Sequence, residues 1–233
     1  MGTRVGKDGE GRGKTGKVFA WLAVVAGGAL AIAARSPSSP AFPRLSPSDI
    51  HSEYVKFLSG RDTITAYLSY PERRDPAPAV IVIHEIFGLS DFIRQTTEQL
   101  AKDGFVAIAP DLLSRRGGTP ASPDSARKLI ATLNPDTVTM DLNAAAAFLK
   151  TVRAARGDRV GVIGFCWGGG QSFRYATNNP NLRAVVVAYG PAPDSAAIRR
   201  IQAPVLGIYG ENDARITAAL PGVVAQMQSA GKT

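Results

Sequence analysis

The sequence predicts an α/β fold: a mostly parallel, doubly wound sheet flanked by helices. Short apolar runs alternate with stretches of helical spacing from Tyr54 onward, which is the rhythm of strand–helix–strand units. One of those runs, Ala79 to His84, is continuous and β-branched, as suits a central strand buried on both faces. The composition agrees, with 45% apolar and 20% charged residues over a length of 233, enough for one domain and an appendage.

The appendage comes first in the chain. Residues 18 to 34 form an uncharged run, preceded by a basic head in which Arg4, Lys7, Arg12, Lys14 and Lys17 outnumber Asp8 and Glu10. A charged head, an apolar middle and small residues at the exit are the layout of a secretory signal peptide, and Ala31-Ile32-Ala33 offers a small-x-small cleavage site. The run also reaches the lower length needed to span a bilayer, roughly 17–25 residues, so an uncleaved anchor competes with a cleaved signal. Residues 1–34 are therefore read as signal peptide or membrane anchor. Either reading places the domain outside the cytoplasm or tethers it to a membrane. Residues 35–49, rich in Ser and Pro without a hydrophobic period, read as a linker. The domain is assigned to residues 50–233.

Within it, Ile64 to Tyr70 is an early strand, followed by the Ala79–His84 run. Asp91 to Asp103 has helical spacing at Phe92, Thr96 and Leu100, and Gly104 ends it. Phe105 to Ala109 is the next strand, closed by Pro110-Asp111. Helices are expected over about Ser125–Leu133 and Asp136–Arg153. Strands follow at Arg159–Gly164, Ala184–Ala188 and Pro204–Tyr209, and a last helix at Ile216–Met227. In such sheets ligands and catalytic groups gather at the carboxyl ends of the strands.

Several function classes are excluded or weakened. The formal net charge of +8 is concentrated partly in the head, and the domain has no basic stripe with interleaved aromatics, so no nucleic-acid partner is expected. One cysteine and two histidines, His51 and His84, cannot build a Cys/His metal site, and no metal or organic cofactor is expected.

The chemistry lies at Gly164-Phe165-Cys166-Trp167-Gly168, which closes a strand and opens a helical stretch. This is the nucleophile-elbow pattern with Cys in the place usually held by Ser. A nucleophile on a tight strand-to-helix turn needs small neighbours two residues away on each side. The helix N-terminus then sets backbone N–H groups and a positive dipole end beside the sulfur. Trp167 would supply one oxyanion N–H. The competing reading, Cys166 as a small buried hydrophobe, does not account for its place between strand and helix. A phosphate loop is disfavoured by the lack of a Gly-Lys-Ser/Thr ending.

Together with His84-Glu85-Ile86-Phe87-Gly88-Leu89, Gly104-Phe105-Val106-Ala107-Ile108-Ala109-Pro110-Asp111-Leu112 and Gly210-Glu211-Asn212-Asp213, this elbow resembles the dienelactone hydrolase family of α/β-hydrolases. The resemblance spans Tyr54 to the C-terminus. It implies hydrolysis of a small-molecule ester or lactone through a thioester on Cys166. It further implies that Glu85 takes the thiol proton, that Ile86 gives the second oxyanion N–H, and that Asp213 is the acid of the triad. Activated esters are the expected targets. Arg115, Arg116 and Arg127 are weighed as holders of an anionic substrate against the blander reading of surface arginines.

The pattern breaks at the histidine. The family's histidine follows the acid, and none follows His84 here. The expectation is a C-terminally truncated member lacking the last strand and helix, with Pro204–Tyr209 left as a bare apolar edge. The 233-residue chain alone is then expected to be poorly soluble or inactive on esters. Alternation along a strand should turn His84 away from the side Glu85 faces, and His51 lies beside the linker. A non-catalytic, membrane-tethered binding domain is the alternative from another class, and a peroxide-sensing thiol ranks last.

Overall fold

In the computed structural model the chain is described for residues 18–20 and 49–233. The described residues contain strands β1 (Val18–Ala20), β2 (Ile50–Ser59), β3 (Asp62–Pro71), β4 (Ala77–Ile83), β5 (Val106–Pro110), β6 (Ala155–Phe165), β7 (Ala184–Ala188) and β8 (Val205–Gly210). They form one sheet in the order β1-β8-β7-β6-β4-β5-β3-β2. Neighbours among β4 to β8 run parallel, while β2, β3 and β1 join antiparallel at the two edges. The helices are α1 (Asp91–Lys102), α2 (Pro123–Ile130), α3 (Pro135–Leu149), α4 (Trp167–Asn178), α5 (Ser195–Ile198), α6 (Ala214–Thr217) and α7 (Leu220–Ser229). The predicted doubly wound α/β architecture is therefore present.

Strand periodicity divides the core. Ala79, Ile81 and Ile83 of β4, with Val106 and Ile108 of β5, face the larger apolar cluster, which includes Leu142 of α3 and Phe173 of α4. The alternate residues Val82, Ala107 and Ala109 face a smaller cluster with Ile93 of α1. Both faces of these two strands are buried, which is why they read as continuous apolar runs rather than alternating ones.

Three departures from the sequence reading have local causes. Strand β2 was not foreseen, because Ser52, Glu53, Tyr54, Lys56 and Leu58 stay exposed on an edge strand. It pairs with β3 along its whole length, through a turn in which Gly60 takes φ +64°. Helices α2 and α3 start earlier than expected, each with proline in its first turn. Ser122 and Asn134 cap them by accepting the N–H of Ser125 (3.4 Å) and of Asp136 (2.7 Å). The single helix expected at Ile216–Met227 is two, α6 and α7, with Pro221 opening the second.

The expectation of a bare β8 edge is corrected. Val18–Ala20 pair with Ile208–Gly210, and the Val205 N–H donates to the Thr233 carbonyl at 2.8 Å. That edge is already engaged, so the backbone groups are not a free template for aggregation. The remainder of the signal or anchor segment, 1–17 and 21–34, and the linker up to residue 48 lie outside the described residues. Among the described residues no helix is long and apolar enough to cross a membrane.

Candidate active site

Cys166 sits where β6 ends and α4 begins, at φ 53° and ψ −115°. Only one other non-glycine among the described residues, Tyr189, has a positive φ. A side chain held there costs on the order of 1–3 kcal/mol and persists because the surroundings over-determine it. The Cys166 N–H donates to Ala188 O (3.0 Å), tying the elbow to the end of β7. The flanking glycines are required by space. A Cβ on Gly164 would stand 1.9 Å from the Gly168 carbonyl oxygen, and one on Gly168 would stand 2.3 Å from that of His84. The elbow predicted from sequence is therefore built as its spacing implies.

Trp167 is the first residue of α4, so its N–H has no acceptor within the helix and is available beside the sulfur. Ile86 occupies the turn after β4, half-buried, in the loop that runs from His84 to Ser90. Glu85 stands in the same loop. Its carboxylate accepts from the Phe87 N–H and from the Ser90 hydroxyl, the latter at 2.8 Å. No hydrogen bond joins it to the Cys166 sulfur in this arrangement. Both groups nevertheless lie within electrostatic reach of one phenol: Tyr189 is pushed above the ordinary tyrosine value by burial and then by Cys166 and Glu85.

Asp213 follows β8 at the same carboxyl edge of the sheet and leads into α6. Its carboxylate is held by Arg215, at 3.2 Å from both Nε and Nη2, and does not cap the helix through its side chain. The topology thus brings Glu85, Ile86, Cys166, Trp167 and Asp213 to the carboxyl ends of β4, β6 and β8.

The two histidines do not join them as bases. His84 is fully buried, and its ring stacks on Trp167 with centroids 5.6 Å apart. Its Nε2 accepts the Leu112 N–H (3.2 Å), which leaves Nδ1 as the protonated nitrogen, donating to the Glu85 carbonyl at 2.8 Å. Burial lowers its pKa, against weaker opposing effects from the Glu85 carbonyl and from Asp111. Both nitrogens are committed and the ring is neutral. His51 lies on β2 at the far edge, stacked on Tyr70 (4.9 Å) and paired with Glu53 (3.5 Å).

Nor is Arg115 free for an anionic substrate. It binds Asp141 (2.7 Å), Asp62 and the Ser59 carbonyl (2.9 Å), tying α3 to the β2–β3 turn. Arg127 pairs with Asp124 on α2 (2.9 Å), and Arg116 is exposed. Among the described residues no group of three or more Asp, Glu, His or Cys side chains could hold a metal ion.

Tyr189 was not among the residues picked from the sequence. It closes β7 beside the elbow, with φ 42° and its ring 6.5 Å from that of Phe165. Its only sequence signal is its place at a strand's carboxyl end, before Gly190.

A cysteine on a strained strand-to-helix elbow, at the carboxyl edge of a doubly wound sheet, defines the α/β-hydrolase fold. Residues 64–233 match the model of the dienelactone hydrolase family, and the chain belongs to that family. A protein of Methylorubrum extorquens named "Putative carboxymethylenebutenolidase" is 36% identical over 193 residues, covering 77% of this chain and 66% of that one. The match thus spans about two thirds of that relative's length. A relative of the same name from Escherichia coli K12 is 33% identical, covering 77% of this chain and 71% of its own. Among solved structures, one described as "Putative Dienelactone Hydrolase" from Klebsiella pneumoniae superposes with a TM-score of 0.72 at 31% identity, covering 79% of this chain and 82% of that one. A dienelactone hydrolase from Anabaena variabilis, at 22% identity and a TM-score of 0.64, shares the fold, covering 76% of this chain and 82% of its own.

Proposed function

We propose that the protein cleaves esters or lactones through a thioester on Cys166. The observation that carries this reading is the backbone of Cys166 itself, held at positive φ at the N-terminus of α4 between glycines that admit no side chain. That conformation presents the sulfur at the carboxyl edge of the sheet, where the N–H groups of Trp167 and, from the loop after β4, of Ile86 are the oxyanion donors of this reading.

The reaction follows from those positions. The Cys166 sulfur, having given its proton to Glu85, bonds to the acyl carbon. The carbonyl oxygen takes up the negative charge and receives the N–H groups of Ile86 and Trp167. Collapse breaks the bond to the leaving oxygen, which takes the proton from Glu85 and departs as an alcohol, or remains tethered as a hydroxyl if the substrate is a lactone. Water then cleaves the thioester, releasing a carboxylic acid and restoring the thiol. Glu85 must leave Phe87 and Ser90 to receive the proton, so substrate entry is coupled to a rearrangement of the loop. Neither His51 nor His84 can serve the second half-reaction. Activated esters are the expected substrates, since a good leaving group lowers the demand for an acid.

The test is acylation by p-nitrophenyl acetate, followed by nitrophenolate release and by intact mass. One acetyl group is expected on Cys166 of the wild type, with slow turnover, and none in Cys166→Ala. Acetylation that persists in Cys166→Ala, or that maps to another residue, would sink the assignment.

A further inference from the structure

We infer that Thr119 is a positioning residue for the oxyanion loop, acting as a strap that fixes the Ile86 N–H where the reaction needs it. This rests on the cysteine-hydrolase reading above and adds a residue that touches no substrate.

The loop from His84 to Ser90 carries that N–H, and two of its anchors belong to a different loop, the one that follows β5. At its first residue, the His84 ring accepts the Leu112 N–H (3.2 Å). Near its last, the Leu89 N–H donates to the Thr119 hydroxyl (2.8 Å). That hydroxyl in turn donates to Asp111 (2.8 Å), whose other carboxylate oxygen accepts the Thr119 N–H (2.7 Å). Asp111 also accepts the Leu113 N–H (3.0 Å) and is only 6% exposed. A buried carboxylate with three donors closes residues 111–119 into a fixed template, and Thr119 is its point of contact with the oxyanion loop.

The contact is close. Gly88 takes φ +76°, and a Cβ there would stand 2.2 Å from the Thr119 hydroxyl oxygen. The loop therefore turns directly against Thr119, which leaves no room for a shift toward it. Replacing the hydroxyl by a methyl of similar size would leave the Leu89 N–H without a partner inside the protein and Asp111 one donor short.

Two reactions at the same sulfur separate positioning from general damage. Acylation by p-nitrophenyl acetate passes through an oxyanion, whereas alkylation by iodoacetamide does not. In Thr119→Val the acylation rate is expected to fall about 10–100-fold, a part of what loss of a whole oxyanion donor costs. Alkylation of Cys166 should stay within about twofold, because the elbow is untouched. Thr119→Ser, which keeps the hydroxyl, should restore most of the acylation rate. If Thr119→Val does not fold, Thr119→Ala makes the same test, since it also removes the hydroxyl and adds no bulk.

Unchanged acylation in the folded variant, a parallel fall in alkylation, or failure of serine to rescue would each overturn the strap. Absence of acylation in the wild type would instead sink the ester reading, and the strap with it.

Discussion

His84 opens the loop that follows β4 and is nevertheless removed from proton transfer. One ring nitrogen accepts from Leu112, the other donates to the Glu85 carbonyl, and burial disfavours the imidazolium. Since its pKa in the folded protein is lowered, the stability it contributes is complete above the unfolded value of about 6.5. That contribution is lost as pH falls through the folded value, because the unfolded chain then binds the proton more readily. The urea midpoint is expected to drop between pH 7 and pH 5 in the wild type and to drop less in His84→Gln. An equal drop in both would mean that His84 is not the titrating group. Strand alternation is the sequence's ground for separating His84 from Glu85, yet both residues lie beyond the end of β4 at Ile83. What fixes the ring is one bond to the neighbouring Glu85 carbonyl and one from Leu112 of another loop, and the second was not legible.

At the scale of elements, the elbow was readable because every requirement is local: a strand, small residues on either side of the nucleophile, a helix. Arg115 was not readable, and the sequence left it as a possible substrate contact. It joins α3 to the β2–β3 turn by bonding Asp141, whose side chain is 2% exposed, together with Asp62 and Ser59. Removing one partner of a buried pair leaves the other charge uncompensated. Arg115→Ala should therefore cost about 3–5 kcal/mol of stability by denaturant titration. Replacing both residues, as in Arg115→Met with Asp141→Leu, should recover most of that loss. A single variant as stable as wild type would show that the pair is solvated. Strand β2 illustrates the same limit. Half its residues face solvent, so only its partner β3 defines it as a strand.

The described domain is held by apolar clusters on both faces of the sheet, and two phenols, one buried and one half-buried, report on its integrity. Tyr175 of α4 and Tyr209 of β8 are both pushed up to about 12 by burial. A raised pKa means that the stability they contribute is complete below the unfolded value of about 10. It is lost as pH rises from there through about 12, since ionisation then favours the unfolded chain. Cooperative loss of far-ultraviolet circular dichroism is expected between those limits, and Tyr175→Phe should shift it toward higher pH. An alkaline transition that is unmoved in that variant would place the sensitivity elsewhere.

The sequence by itself determined the fold class, the order of the parallel strands' apolar runs, the elbow at Cys166 and the loops that flank it. Those features depend on periodicity and on residue types a few positions apart, which any stretch of chain carries with it. Tertiary structure alone decided that His84 is a neutral structural group and that Arg115 is an internal tie. It also decided that Tyr189 stands beside Cys166 and that Thr119 is bonded to the loop after β4 through Leu89. Each of these depends on contacts between segments tens of residues apart, brought together only when the sheet sets β4, β5, β6 and β7 side by side.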